Sequence, residues 1–144
     1  QLADGKVDRR GRFIVGSSDR GMKEARGKLF VLDPGASELR QIDGDIFLAN
    51  GPCWSPDDRT FYHADSIRKL IYAYDYDPAT GEATNRRVFA NTAAFGGIPD
   101  GATVDTDGLV YSAICEGSVI EVSIQVKPGE GEVGQGEVSK VEAR

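Results

Sequence analysis

Apolar and polar positions along the chain repeat in three copies of one pattern, a polar tight turn that leads into an apolar strand. The turns begin at Asp8, Ser55 and Asp105, which are 47 and then 50 residues apart. Each copy continues into a second β run that is followed by another turn. β-branched and aromatic residues fill these runs, and the periodicity of an amphipathic helix is absent. The pattern predicts an all-β fold built from four-stranded meanders.

The spacing of the copies points to one architecture. Four-stranded units that recur every roughly 40 to 50 residues are typical of a β-propeller, whose blades surround a central channel. A β-sandwich of similar strand count is the alternative, but a sandwich has no reason to repeat one turn and strand in register. We therefore predict about three blades within residues 1–127, starting near residues 3, 50 and 100. Three blades are too few to close a ring of roughly four to eight.

Residues 128–144 depart from this pattern. They are rich in Gly and Glu and offer no apolar face that a blade could bury. Such a composition predicts a loose tail or an outer strand.

Composition and charge narrow the classes of function. The chain is 40% hydrophobic and 28% charged, as expected of a globular protein. Its formal charge of −6 would repel a phosphate backbone, so a nucleic-acid partner is not expected. No apolar stretch has the length that a bilayer span requires, so no membrane partner is expected either. Cys53 and Cys115 lie far apart, which favours reduced thiols and a cytoplasmic location. The start at Gln1 resembles neither a native start nor a secretion signal, and we expect a piece of a longer chain.

Equivalent positions of the repeat suggest where chemistry could occur. In a propeller blade the first strand is innermost, and its start lies at one mouth of the channel. Counting five residues back from each turn reaches Ala3, Asn50 and Asp100. Amide and carboxylate oxygens suit a hard cation such as Ca²⁺ or Mg²⁺. Asn-Gly and Asp-Gly are also ordinary turn dipeptides, and on the repeat alone both interpretations stay open.

Six segments add a resemblance to a known family. They are DGKVDRRGRF (4–13), NGPCWSPD (50–57), FYHADS (61–66), YDYDPATG (74–81), NRR (85–87) and IPDG (98–101). In order and spacing they resemble the senescence-marker-protein/gluconolactonase/regucalcin-like family as far as about Val122. That resemblance implies a six-bladed β-propeller of the gluconolactonase-like type, of which this chain holds about three blades.

The same resemblance implies a metal site in the channel. The family holds one divalent cation with a Glu from an early blade, the Asn of a Ser-Asn-Gly-like motif and the Asp of Pro-Asp-Gly. The last two match Asn50 and Asp100, whereas the Glu has no match in this chain. Ca²⁺ is the cation that we expect, with Zn²⁺, Mg²⁺ and Mn²⁺ as alternatives.

By this resemblance the function is a divalent-metal-dependent hydrolysis of small lactones or esters. The cation would polarise the carbonyl while Asp100, a ligand and the candidate catalytic base, activates water. Two of the candidate substrate-binding positions depart from the family pattern, with Gln1 in place of Arg and Ala3 in place of Asn. Asp4 beside them is either a channel-facing acid or a turn residue before Gly5.

A second hypothesis is non-catalytic. The departures and the absent Glu would suit a calcium-binding or interaction module, a degenerate or truncated propeller. In either case the open sheet faces need partners, which would be the remaining blades of a longer chain or a second copy in a homodimer. His63 is interpreted as a strand residue, and Cys115 as an inert thiol.

Overall fold

Three four-stranded antiparallel sheets make up the computed structural model, which describes residues 1–116, 119–127 and 137–142, with side chains described as far as residue 115. The predicted all-β fold is confirmed, and the one helix among the described residues is a short 3-10 turn, Ala93–Phe95. The strands are β1 (Leu2–Val7), β2 (Phe13–Ser17), β3 (Gly27–Leu32), β4 (Arg40–Ile46), β5 (Ala49–Trp54), β6 (Thr60–Asp65), β7 (Leu70–Asp77), β8 (Glu82–Asn91), β9 (Ile98–Val104), β10 (Val110–Glu116), β11 (Val119–Lys127) and β12 (Glu137–Glu142).

Each sheet is one blade, with its strands paired in chain order. Strand β1 contacts β5, and β5 contacts β9, so the first strand of every blade lies innermost. This arrangement confirms the prediction of about three blades and places residues 3, 50 and 100 on the strands that surround the channel.

The first side chain of the predicted turn accepts backbone hydrogen bonds in all three blades. Asp8 Oδ1 accepts from the backbone nitrogens of Arg10 and Arg12, both at 2.8 Å. The Asp105 carboxylate makes the same pair of bonds, and Ser55 Oγ accepts from the backbone nitrogen at the end of its turn. A short polar side chain that caps the following backbone is the chemistry that stabilises such turns.

A β-bulge interrupts each innermost strand at the same place. The register shifts between Leu2 and Gly5, between Asn50 and Cys53, and where β9 passes from Pro99 to Ala102. A bulge leaves residues unpaired with the neighbouring strand and re-aims their side chains. The bulges therefore mark the stretch of each strand where the candidate residues lie.

The core lies between blades. Phe61 packs with Ile14 and Val31 of the first blade, whereas its neighbour Tyr62 packs with Val110 of the third. Successive side chains of a strand point to opposite faces, so the middle sheet is buried on both sides. Fully burying one such large apolar side chain contributes about 1.5–3 kcal/mol.

The last strand, β12, pairs with β11 at the outer edge of the third sheet. Residues 128–136 and 143–144 of the predicted tail lie outside the described residues, and the boundary at residue 127 stays a prediction. Within the ranges that the structure describes, no helix combines the length and apolar character needed to cross a membrane.

Candidate functional site

The two candidate metal ligands lie on adjacent innermost strands, Asn50 on β5 and Asp100 on β9. Gly51 brings these strands into close contact. A Cβ atom built on Gly51 would lie 2.6 Å from the Asp100 carbonyl oxygen, and its φ of 56° falls in the left-handed region that favours glycine. A side chain at position 51 would therefore push the two strands apart.

A buried serine links Asn50 to the next blade. Asn50 Nδ2 donates to Ser66 Oγ at 2.9 Å, and Ser66 Oγ donates to the Pro99 carbonyl oxygen at 2.6 Å. Pro99 directly precedes Asp100 on β9. Among the described residues, Asn50 Oδ1 accepts no hydrogen bond.

The Asp100 carboxylate is held by a thiol. Cys115 Sγ donates to Asp100 Oδ2 at 3.1 Å, and this hydrogen bond raises the pKa of the Cys115 thiol, which keeps the donor protonated. Asp100 Oδ1 accepts no hydrogen bond from the described part of the chain. Sequence reasoning treated Cys115 as an inert thiol because no base is near it in sequence. The antiparallel pairing of β9 with β10 supplies the partner.

Asp4 ties the first blade to the second. Its Oδ1 accepts from the backbone nitrogen of Gly5 at 2.8 Å, and its Oδ2 accepts from the backbone nitrogen of Gly51 at 2.9 Å. The first bond is the turn contact that the Asp-Gly dipeptide predicts. The second bond places the carboxylate between β1 and β5, beside Asn50. A substrate-binding role for Asp4 stays a prediction.

Gln1 and Ala3 lie at the start of the first blade. The backbone nitrogen of Gln1 donates to the Ser18 carbonyl oxygen at 2.9 Å, and Ser18 returns the bond to the Gln1 carbonyl at 2.9 Å. Gln1 is exposed and Ala3 is half-buried. The buried hydroxyl of Ser18 has no hydrogen-bond partner among the described residues. The proposed substrate contacts of Gln1 and Ala3 stay predictions.

Lys6, which the sequence analysis did not single out, connects the innermost strands of the first and third blades. Lys6 on β1 donates through Nζ to the Ala102 carbonyl oxygen on β9 at 2.8 Å. Lys6 belongs to the first blade and Ala102 to the third. The two residues meet because the innermost strands surround one axis. Its position on the innermost strand β1 could have suggested this contact.

His63 is excluded from the site. Strand β6 buries its ring, with Nδ1 lying 3.0 Å from the Ala64 carbonyl oxygen and Nε2 lying 2.9 Å from Tyr74 Oη. Burial lowers the pKa of His63 to about 4. The interpretation of His63 as a strand residue is confirmed.

The donor set fits a hard cation in its chemistry. Asn50 and Asp100 each present one oxygen that accepts no hydrogen bond from the described residues, and Ca²⁺ prefers carboxylate and amide oxygens. The described residues contain no group of three or more His, Cys, Asp or Glu side chains that could hold a metal ion. Asn50 and Asp100 would thus hold a cation only together with further oxygens.

Comparisons with known proteins agree with this arrangement of blades. A family model described as the SMP-30/Gluconolactonase/LRE-like region matches residues 1–132. Regucalcin from Danio rerio is 40% identical over 116 residues, which cover 79% of this chain and 39% of that protein.

Solved structures show the same fold. A luciferin-regenerating enzyme superimposes with a TM-score of 0.83 at 27% identity, covering 99% of this chain and 46% of its own. A calcium-binding protein, regucalcin, from Agrobacterium tumefaciens superimposes with a TM-score of 0.77 at 23% identity, covering 87% of this chain and 41% of its own. The chain therefore spans less than half the length of these relatives.

Proposed function

Because the chain belongs to the SMP-30/gluconolactonase/LRE-like family, we propose that the complete protein hydrolyses small lactones or esters with the help of a divalent cation. Its three blades are part of a six-bladed propeller of the gluconolactonase-like type. The observation that carries the proposal is the placement of Asn50 and Asp100 on adjacent innermost strands, each with one oxygen that accepts no hydrogen bond from the described residues.

The chain's own residues would divide the work at this site. A bound cation, Ca²⁺ in our proposal, would supply a positive charge that polarises an ester carbonyl. Asp100 would bind it through a charged oxygen and take the proton from the attacking water, while Cys115 holds the other carboxylate oxygen. Asn50 is neutral and cannot accept that proton at ordinary pH, so it would serve as a ligand only.

A non-catalytic calcium-binding protein is the second candidate function. Ala3 favours it, because a methyl group at the mouth offers no hydrogen bond to a polyhydroxylated substrate. The name of one structural relative, a calcium-binding protein, also agrees with this alternative. The two functions share the metal site and differ only in turnover.

Chelation tests the metal-assisted reaction. We expect the full-length protein to hydrolyse a small lactone such as gluconolactone, to lose this activity in excess EDTA and to regain it when Ca²⁺ is restored. The loss follows because Asp100 alone cannot stabilise the oxyanion that forms at the carbonyl. The measurement is the initial hydrolysis rate, followed by pH indicator.

Two controls give the result its meaning. A thermal melt in EDTA should show a protein that is still folded, so that the loss of rate reflects the site. Asp100→Asn keeps the size of the side chain and removes its charge, and it should abolish turnover. Hydrolysis that persists undiminished in EDTA would refute the mechanism. Ca²⁺ binding without any turnover would favour the calcium-binding alternative.

We also propose that the missing blades belong to the same polypeptide. The relatives are more than twice as long as the matched region, which supports a longer chain over a homodimer of two three-bladed halves. Light scattering on the 144-residue chain alone separates these models. The longer-chain model predicts a poorly soluble or aggregating fragment, whereas a discrete, folded dimer would support the paired halves.

A further inference from the structure

A small hydroxyl or thiol side chain lies within one residue of the end of the second strand in each blade, at one equivalent position. Ser18 pairs with Gln1, Ser66 pairs with Leu48, and Cys115 pairs with Ile98 at the channel-mouth end of the three ladders. The three first-strand partners each precede the repeated turn by the same number of residues. The three side chains therefore occupy one structural position, in three copies.

In two blades this side chain binds the first-strand residue at the channel. Ser66 Oγ accepts from Asn50 Nδ2 at 2.9 Å, and Cys115 Sγ donates to Asp100 Oδ2 at 3.1 Å. In the first blade the corresponding channel residue is Ala3, which has no polar group. Ser18 Oγ is buried there, and it has no partner among the described residues.

We propose that Ser66 and Cys115 are positioning residues that orient Asn50 and Asp100 toward the channel, and that Ser18 is the third member of this set. Ser18 lacks only the polar side chain at position 3 that it is placed to bind. We refer to Ser18, Ser66 and Cys115 as the supporting ring.

The hydrogen-bond pattern shows how Ser66 sets the orientation of Asn50. Ser66 gives its single proton to the Pro99 carbonyl oxygen at 2.6 Å, so it can only accept from Asn50. The amide must then turn Nδ2 toward Ser66 and Oδ1 away from it. A ligand oxygen is thereby presented in one orientation, which is the role that outer-sphere partners have at metal sites.

Cys115 donates a hydrogen bond to Asp100, whereas Ser66 accepts one from Asn50. A carboxylate is a pure acceptor, and the thiol donates to one of its two oxygens. This bond fixes the plane of the carboxylate and leaves Oδ1 for other partners. A thiol and a hydroxyl thus perform the same task in neighbouring blades, which makes their exchange a natural control.

A double-mutant cycle at the first blade tests the ring without any metal or substrate. Ala3→Asn copies the Asn50–Ser66 pair at the equivalent position, so we expect it to raise the melting temperature of the protein by about 2–4 °C. In a Ser18→Ala background the same substitution should give no increase. Equal effects of Ala3→Asn in both backgrounds would overturn the proposal for Ser18.

Calcium titration calorimetry tests the other two members and rests on the proposed metal site. Ser66→Ala and Cys115→Ala should each weaken Ca²⁺ binding by about 10-fold to 100-fold. Ser66→Cys and Cys115→Ser keep a side chain able to make the bond, and they should retain the affinity of the unsubstituted protein. Alanine variants that fold and bind Ca²⁺ as tightly as their exchanged counterparts would overturn the positioning role.

The two experiments fail independently. If the unsubstituted protein binds no Ca²⁺, the proposed function is wrong, and the melting-temperature cycle still decides whether Ser18 is built to bind position 3. If an alanine variant does not fold, circular dichroism will reveal it. The exchanged variant then tests the positioning role of Ser66 and Cys115. Loss of Ca²⁺ binding in a folded Ser66→Cys or Cys115→Ser protein would contradict that role.

Discussion

Two regions of the molecule differ in how many hydrogen-bond donors surround their acidic and amide side chains. One is the interface between the first and second blades, and the other is the channel mouth. At the interface, Tyr76 and Tyr74 alternate along β7, and each donates to an aspartate of the first blade at 2.7 Å, Asp8 and Asp43 respectively. An arginine completes each pair. These carboxylates are enclosed by donors that belong to the fold.

At the mouth, Asn50 and Asp100 each make one side-chain hydrogen bond within their own blade. The other oxygen of each accepts no bond from the described residues. An aspartate whose acceptors are all occupied stabilises the protein, whereas an aspartate with an unoccupied acceptor can bind a ligand. Whether an aspartate stabilises the fold or can bind a ligand therefore depends on the hydrogen-bond donors around it.

The largest expected effect comes from breaking the interface at Arg12. Its guanidinium bonds to Asp8 at 3.1 Å, Asp33 at 3.0 Å and the Pro78 carbonyl oxygen at 2.9 Å. Arg12→Met keeps much of the stem but leaves the buried Asp8 carboxylate without its cation. We expect a loss of about 3–5 kcal/mol in the free energy of unfolding, measured by urea denaturation.

A smaller change at the same carboxylate provides the control. Although burial opposes it, the bonds from Tyr76 and from the backbone of Arg12 and Arg10 lower the pKa of Asp8. Tyr76→Phe removes only one of these donors and should cost about 1–2 kcal/mol. Ca²⁺ affinity should be unchanged in both variants. If Arg12→Met costs no more than Tyr76→Phe, or weakens Ca²⁺ binding, the interface and the mouth are not separate in function.

The blades and the innermost strands could be predicted from sequence because their signals are local and repeated. A turn that caps itself, as Asp8 and Asp105 do, needs only its own residues, and three copies reveal the period. Counting back from the turn then found Asn50 and Asp100 on innermost strands. The positive φ at Gly51 agrees with the glycine of the Asn-Gly motif.

The supporting contacts could not be predicted in the same way. The Cys115 thiol meets Asp100 only because β10 pairs with β9, and the Ser66 hydroxyl meets Asn50 through the equivalent pairing in the second blade. Sequence pattern shows that these residues end strands, but not which side chain each one contacts. The bonds of Arg12 and Tyr76 cross between blades and depend on packing, for which a single sequence has no local signal.

His63 extends the comparison to a buried group that carries no charge. Its Nδ1 lies 3.0 Å from the Ala64 carbonyl oxygen, and its Nε2 lies 2.9 Å from the Tyr74 hydroxyl. Burial is the main cause that lowers the pKa of His63 to about 4, outweighing the nearby Asp43. The ring is therefore neutral in the folded protein at neutral pH.

This neutral ring predicts a pH dependence of stability. In the unfolded chain His63 takes up a proton below its ordinary pKa of about 6.5, whereas the folded protein resists protonation until about pH 4. The unfolded state thus binds more protons across this window, so stability is full above about pH 6.5 and falls as the pH drops toward 4. The expected loss is at most on the order of 3 kcal/mol, measured by urea denaturation at a series of pH values.

His63→Phe in the 144-residue chain should abolish this slope, because it removes the one histidine of these residues while preserving an aromatic ring against Phe61 and Tyr72. His63→Gln is the matched control, since it keeps polar atoms at the site without titrating in this range. Both variants should show nearly constant stability between pH 6.5 and 5, before the aspartates begin to protonate. An unsubstituted protein that is equally stable at pH 7 and pH 5 would contradict the neutral ring. That result would mean that Asp43 and Tyr74 stabilise the protonated His63 ring. His63 and Asp43 would then form an ion pair at the interface, as Arg12 and Asp8 do.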